Sequence, residues 1–189
     1  EQLKLCQIFS HEETGNDWTF QRDIAVREWC RGRGIPWTET WQNGVVRGLK
    51  DRNGWSNNWN GRMTTPIAGQ VKLKPLTEIE PGPIPPAKDL GLCEDGCTGR
   101  QRGGRIAGLK MLRSFLTHRG LYYQSKMSSP VTATDTCSRI SPYLAFGALS
   151  MSEVAQAAAE QRSVILRESD NISQWRKSLS SFEGRLHWH

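Results

Sequence analysis

Residues 137–144 read Cys137-Ser138-Arg139-Ile140-Ser141-Pro142-Tyr143-Leu144. Proline suits the first turn of a helix, where its missing N–H leaves nothing unpaired, so Pro142 with Ser141 as N-cap predicts a helix start. Two hydroxyls, Arg139 and free backbone N–H groups then converge where the helix dipole is positive. Taken alone, the stretch is either an ordinary Ser-Pro cap or an anion site. Outward from it the chain reads helical. Ile106, Leu109, Leu112 and Leu116 follow Gly103-Gly104 and predict one apolar face. Ser150 and Glu153 form a capping box ahead of an Ala/Gln/Val-rich helix running to about Arg167. Ile172, Trp175, Leu179, Phe182 and Leu186 step by 3, 4, 3 and 4, which predicts a core-facing stripe, Trp175 included, on a helix still in period at His189.

The N-terminal third has a different period. Leu3 to Phe9 alternates as a strand, a polar turn covers Ser10 to Asn16, and Asp17 to Arg33 predicts a helix with Asn16 as N-cap. Phe20, Ile24 and the Trp18–Ala25–Trp29 set supply its apolar face; Gly32 and Gly34 end it before a second strand at Ile35–Glu39. This is a βαβ unit, and two parallel strands are too few for a stable sheet. Residues 1–63 are therefore expected to be the C-terminal part of a larger, Rossmann-like parallel α/β domain. Within them Trp55, Trp59 and Met63 recur every four residues as a core stripe. Six of the nine prolines fall between Thr64 and Leu92, which predicts an interdomain linker over 64–98. An incomplete all-helical domain over 99–189 follows, so the fold class is α/β followed by all-α.

Composition bounds the rest. The 189 residues carry 25 Lys+Arg against 19 Asp+Glu, a net charge of +6, with 37% hydrophobic and 23% charged residues, as in globular rather than disordered chains. No run of 18 apolar residues occurs, and the start lacks a basic-then-apolar leader, so no membrane span or signal peptide is expected, and a cytoplasmic monomer is. Five cysteines at irregular spacing predict reduced thiols rather than a disulfide scaffold. Cys93 and Cys97 lack a second ligand pair, and His187 and His189, two apart on a helix, point to different faces, so no metal site is expected. His11-Glu12-Glu13 is a polar loop at a strand end, a place that often faces ligands. Arg100, Arg102, Arg105, Lys110, Arg113, Arg119 and Lys126 fall between Gly96 and Thr134 without one acid. That stretch is either a solvated face or a surface for the phosphates of a nucleic acid or a dinucleotide.

Several ordered motifs together carry a resemblance. Tyr123-x6-Pro130 precedes Ser138-Arg-Ile-Ser-Pro-Tyr-Leu-x-Phe-Gly-x-Leu-Ser150, and the set closely resembles the flavin-binding core of the DNA photolyase and cryptochrome family. His11 to Asn16, Arg22-Asp23, Trp29-Cys30, Gly34-Ile-Pro-Trp37, Gln42-x-Gly44-Val-Val46 and Gly54-Trp55-x3-Trp59 look like the last part of its α/β domain. Residues 181–189 are similar to the helix that next lines the flavin pocket. The resemblance implies a piece of such a protein, with FAD held in a helical domain and light driving electron transfer to a UV-damaged pyrimidine pair. It further implies a carbon–carbon lyase acting on damaged DNA as a full-length protein, a possible second antenna chromophore, and no catalytic residue within this chain. By position, Tyr123 matches the tyrosine at the flavin's phosphate–ribose side, and Cys137, Ser138, Arg139, Ile140 and Ser141 match the loop cradling the pyrophosphate. Arg185 matches the arginine of the family's Trp-Arg-Glu-Phe segment, near both cofactor and DNA. Ser181 aligns with the dimer-contacting glutamate, and Arg100, Arg102, Arg105 and Lys126 join Arg185 and Ser181 as the expected DNA contacts.

Three departures from the pattern stand out. Cys137 replaces a usual threonine, Met127 an arginine of some repair enzymes, and Gly184-Arg185-Leu186-His187 the Trp-Arg-Glu-Phe segment. Glu183 could replace the lost glutamate only if the register slipped by two, about 200° around the helix. The electron-relay tryptophans lie in later helices of the family. The expected function is thus a light-driven repair lyase; the alternatives are a cryptochrome-like photoreceptor without repair activity and a truncated chain with no activity of its own.

Overall fold

The structure, a computed structural model, describes residues 6–69, 71, 72, 74, 80, 82–93, 96–168 and 170–188. Leu3–Leu5 of the expected first strand, Pro75 and Pro81 of the expected linker, and His189 lie outside the described residues. Strand β1 (Ile8–His11), helix α1 (Asp17–Gly32) and strand β2 (Trp37–Thr40) form the βαβ unit, with Ile8 opposite Trp37 and His11 opposite Thr40 in a parallel pair. Asn16 caps α1, its Oδ1 accepting from the Thr19 N–H at 3.1 Å. β2 begins two residues later than Ile35, because the Ile35 N–H turns back to the Cys30 carbonyl (3.0 Å) and closes the helix end. The predicted apolar face of α1 needs correction. Asp23 and Cys30 are its buried residues, whereas Trp18 is 74% exposed and Phe20 and Trp29 are exposed too. The cause is an ion-pair network on the strand side: Arg47 bridges Asp23 (3.1 Å) and Glu39 of β2 (3.0 Å), Arg22 holds Asp23 (2.8 Å) and Arg27 holds Glu39 (2.8 Å).

Helix α2 (Trp55–Met63) turns Trp59 and Met63 inward as predicted. A Cβ on Gly44 would lie 1.9 Å from Trp59 Cδ1, so the Gly44 of Gln42-x-Gly44 is where the backbone runs flat against an indole. Arg62 fastens that loop through the carbonyls of Asn43 (3.2 Å) and Val45 (2.7 Å). Beyond α2 the described residues of 64–98, the expected linker, are exposed, with one 3₁₀ turn at Ala87–Leu90.

The helical part comprises α3 (Arg105–Thr117), a 3₁₀ turn (Arg119–Tyr122), α4 (Tyr123–Lys126), α5 (Ala133–Thr136), α6 (Ser141–Ala145), α7 (Met151–Glu168) and α8 (Ile172–Leu186). Its core holds Phe115, Ile140, Leu149, Val154, Leu179 and Phe182, and Trp59 and Met63 join it from α2. The buried face of α3 is Gly108, Leu112, Phe115 and Leu116, while Ile106 is 74% and Leu109 41% exposed, which corrects the predicted stripe. Gly108 sets that rotation: a Cβ there would lie 3.0 Å from the Tyr143 ring. The Ser150–Glu153 capping box forms reciprocally at 3.0 and 3.1 Å. Helix α6 starts one residue earlier than predicted: Ile140 is the N-cap, its carbonyl accepting from Tyr143 (2.9 Å) and Leu144 (3.1 Å), with Ser141 inside the first turn. Helix α8 buries Trp175, Leu179, Phe182 and Leu186 and ends at Leu186 rather than running to His189, its last turn tightened by Trp188 N–H to Arg185 carbonyl (3.0 Å).

Candidate functional site

Between the segment leading into α6 and the C-terminal turn of α8 lies a cavity of about 680 Å³. Tyr123, Cys137, Ser138, Arg139, Ile140, Ser141 and Arg185 all line it, together with Leu144, Phe182, Leu186 and Trp188. All seven residues singled out from the sequence for a cofactor therefore share one wall system, although 62 residues separate Tyr123 from Arg185 in the chain.

Tyr123 is held at the back. Its ring stands edge-on to Phe115 (5.4 Å) and Phe182 (6.1 Å). Burial pushes the pKa of its hydroxyl up against the opposing pull of Arg185, so the phenol stays protonated and can donate. Ser178, buried on α8, fixes this region: its hydroxyl donates to the Leu121 carbonyl (2.7 Å) and accepts from the Gln124 N–H (3.3 Å).

The loop ahead of α6 is held from behind. Arg139 is the one non-glycine residue with positive φ (58°) among the described residues. Arg119 donates to the carbonyls of Cys137 (2.6 Å) and Ser138 (3.3 Å) and, on its other side, to Met111 O (3.1 Å) and Ser114 Oγ (3.0 Å). Gln101 Nε2 donates to the Arg139 carbonyl at 2.8 Å, and the Tyr143 hydroxyl to the Arg102 carbonyl at 2.8 Å. Burial, and then the like charge of Arg139, lower the pKa of Arg119, which remains a cation. The sequence reading placed Arg119 on a basic surface and passed over Gln101; their contacts span 18 and 38 residues, beyond any local pattern. Cys137 turns its thiol to the Met127 carbonyl at 3.8 Å.

The expected DNA contacts other than Arg185 do not line the cavity. Arg105 pairs with Glu153 at the start of α7, and its hydrogen bonds, against the effect of burial, hold the Glu153 carboxyl below its usual pKa. Lys126 Nζ lies 4.9 Å from the Tyr122 ring centroid. Ser181 is half-buried one turn before Arg185. Glu183 pairs with Arg162, and both border a separate groove with His187 rather than this cavity. His187 stacks on Trp59 with 3.7 Å between centroids.

A second cavity, about 550 Å³, opens at the strand ends; His11, Glu13 and Asn43 face Ser150 and Gly147 across it, and Ser141 and Leu144 border both cavities. Cys30, Cys93 and Cys137 are in no disulfide. Among the described residues no three His, Cys, Asp or Glu side chains gather to hold a metal ion, and no helix is long and apolar enough to cross a membrane.

No family model matches the sequence. A curated relative, a cryptochrome DASH from Gloeobacter violaceus, is 31% identical over 93 residues, which make up 47% of this chain and 19% of that protein. A solved structure, a bacterial class III photolyase from Agrobacterium tumefaciens, matches with a TM-score of 0.58 at 17% identity, over 97% of this chain and 40% of that one. The second likeness is one of fold, and the chain spans less than half the length of either protein.

Proposed function

We propose that this chain, a relative of the photolyase and cryptochrome family in sequence and in fold, holds FAD in the cavity between the Cys137–Ser141 loop and α8. The observation that carries the reading is the meeting of Tyr123, the loop and Arg185 around one cavity of a size suited to a cofactor. The donor set fits a dinucleotide diphosphate: hydroxyls of Ser138 and Ser141, guanidiniums of Arg139 and Arg185, and the protonated phenol of Tyr123. Cys137, with its thiol committed to Met127, adds no strong donor. Bound and reduced, the flavin would supply the light-driven electron that splits a pyrimidine dimer in DNA. The chain's own residues bind and orient it: the loop takes the phosphates, Phe182 and Leu186 keep water from the inner wall, and Trp188 closes the outer rim. Arg100, Arg102 and Lys126 are the proposed phosphate contacts for DNA. Arg105 joins them only by giving up Glu153.

A second reading, a photoreceptor without repair activity, is favoured by the position of Glu183. Its carboxylate is engaged with Arg162 and borders the other groove, so it supplies no acid beside the cavity. Blue-light illumination of the FAD-loaded full chain with an oligonucleotide carrying thymine dimers separates the readings. Loss of dimers supports the lyase. A light-dependent spectral change with the dimers intact supports the photoreceptor, and no flavin retained at all overturns both.

A further inference from the structure

Three successive peptide units of the loop have their carbonyls held from outside the cavity: Cys137 and Ser138 by Arg119, and Arg139 by Gln101. A trans peptide is planar, with its C=O and the next residue's N–H pointing in opposite directions. Anchoring these carbonyls behind the loop therefore aims the N–H groups of Ser138, Arg139 and Ile140 the other way. Those three residues line the cavity, whereas Arg119 and Gln101 do not. The backbone conformation curves the end of the loop the same way: left-handed Arg139 (φ 58°) followed by right-handed Ile140 (φ −93°, ψ −10°) is the alternation that turns the Arg139 and Ile140 N–H groups, and that of Ser141 after them, toward one point, as in a concave anion nest. Among the described residues none of the three N–H groups has a hydrogen-bond acceptor. Donors without partners in a cavity wall are costly unless something outside the chain accepts from them.

We infer that Arg119 and Gln101, neither of which reaches the cavity, are positioning residues that build a three-N–H nest for a diphosphate. This rests on the cavity being the dinucleotide site and adds what makes it select for phosphate. Arg119 does so with a fork: its guanidinium reaches two loop carbonyls while Met111 and Ser114 fix its other edge. A lysine ammonium has the charge but not the fork. Gln101 orients the third peptide alone, and removing it leaves the core untouched.

The test is equilibrium dialysis of the full chain and of the Gln101→Ala and Arg119→Lys variants against FAD and against riboflavin, which shares the isoalloxazine ring but has no phosphate. Gln101→Ala should weaken FAD about 5-fold, the worth of one hydrogen bond, and Arg119→Lys 10-fold or more, with riboflavin unchanged in both. A purely structural role would weaken both ligands together, so the FAD-to-riboflavin ratio is the deciding readout. If Arg119→Lys does not fold, Gln101→Ala decides. Wild-type chain that binds FAD no better than riboflavin overturns the dinucleotide reading itself. Wild-type preference for FAD that survives in the variants overturns the nest alone.

Discussion

Gly44→Ala isolates one packing contact on which the fold depends. The added methyl would sit 1.9 Å from Trp59 Cδ1 and 2.3 Å from Nε1, far inside contact distance. Trp59 cannot swing away cheaply: it is 6% exposed and stacked on His187 at 3.7 Å. Gly44 does not have a positive φ, so alanine adds no backbone strain and the whole cost is steric. Overpacking of this kind costs about 2–3 kcal/mol, which in a chain of this size lowers Tm by about 5–10 °C. The assay is thermal and urea unfolding of wild type, Gly44→Ala, Trp59→Leu and the double variant. Because the clash is with the indole alone, most of the Gly44→Ala cost should vanish in the Trp59→Leu background, giving a coupling of about 2 kcal/mol. A Gly44→Ala variant as stable as wild type, or a cost that persists without the indole, would refute the packing of that loop on α2.

Other outcomes follow from single contacts. Ser178→Ala takes from the Leu121 carbonyl and the Gln124 N–H their bonds to the Ser178 hydroxyl at a part-buried site and should cost about 1–3 kcal/mol by urea unfolding. Glu153→Ala removes the carboxylate half of the capping box, which accepts from the Ser150 N–H, together with the partner of Arg105, and should cost about 1–2 kcal/mol, measured in the same way. Burial raises the pKa of Asp23, yet Arg22, the Glu13 N–H and Arg47 outweigh it, so the folded pKa lies below the unfolded value near 3.8. The stabilisation it gives is fully present above that value and is lost as pH falls through the folded pKa. A stability–pH profile of Asp23→Asn should therefore be flatter than wild type on the acid side and parallel to it near neutrality.

The sequence was most legible where a local rule governs. Asn16, the Ser150–Glu153 box and the Trp175–Leu186 stripe stand in the structure as their spacing predicts, because each depends on residues within one or two turns. The apolar faces of α1 and α3 were misread because distant partners decide them. The Asp23–Arg47–Glu39 network occupies the strand side of α1, and Gly108 lets Tyr143 close on α3. The candidate site was legible as a set of residue types but not as a mechanism of support. Arg119 looked like one more surface cation in a basic run, and only the fold shows its guanidinium gripping the loop from the inside. Likewise Glu183 read as a possible substitute carboxylate until its pairing with Arg162 turned it from the cavity.

The most direct measurement is a crystal structure of the full chain grown with FAD. The diphosphate should lie within hydrogen-bond distance, about 2.7–3.2 Å, of the Ser138, Arg139 and Ile140 nitrogens, with the Arg119 and Gln101 bonds to the loop unchanged. FAD bound elsewhere on the chain, or bound here with its phosphates turned from the loop, would contradict the account.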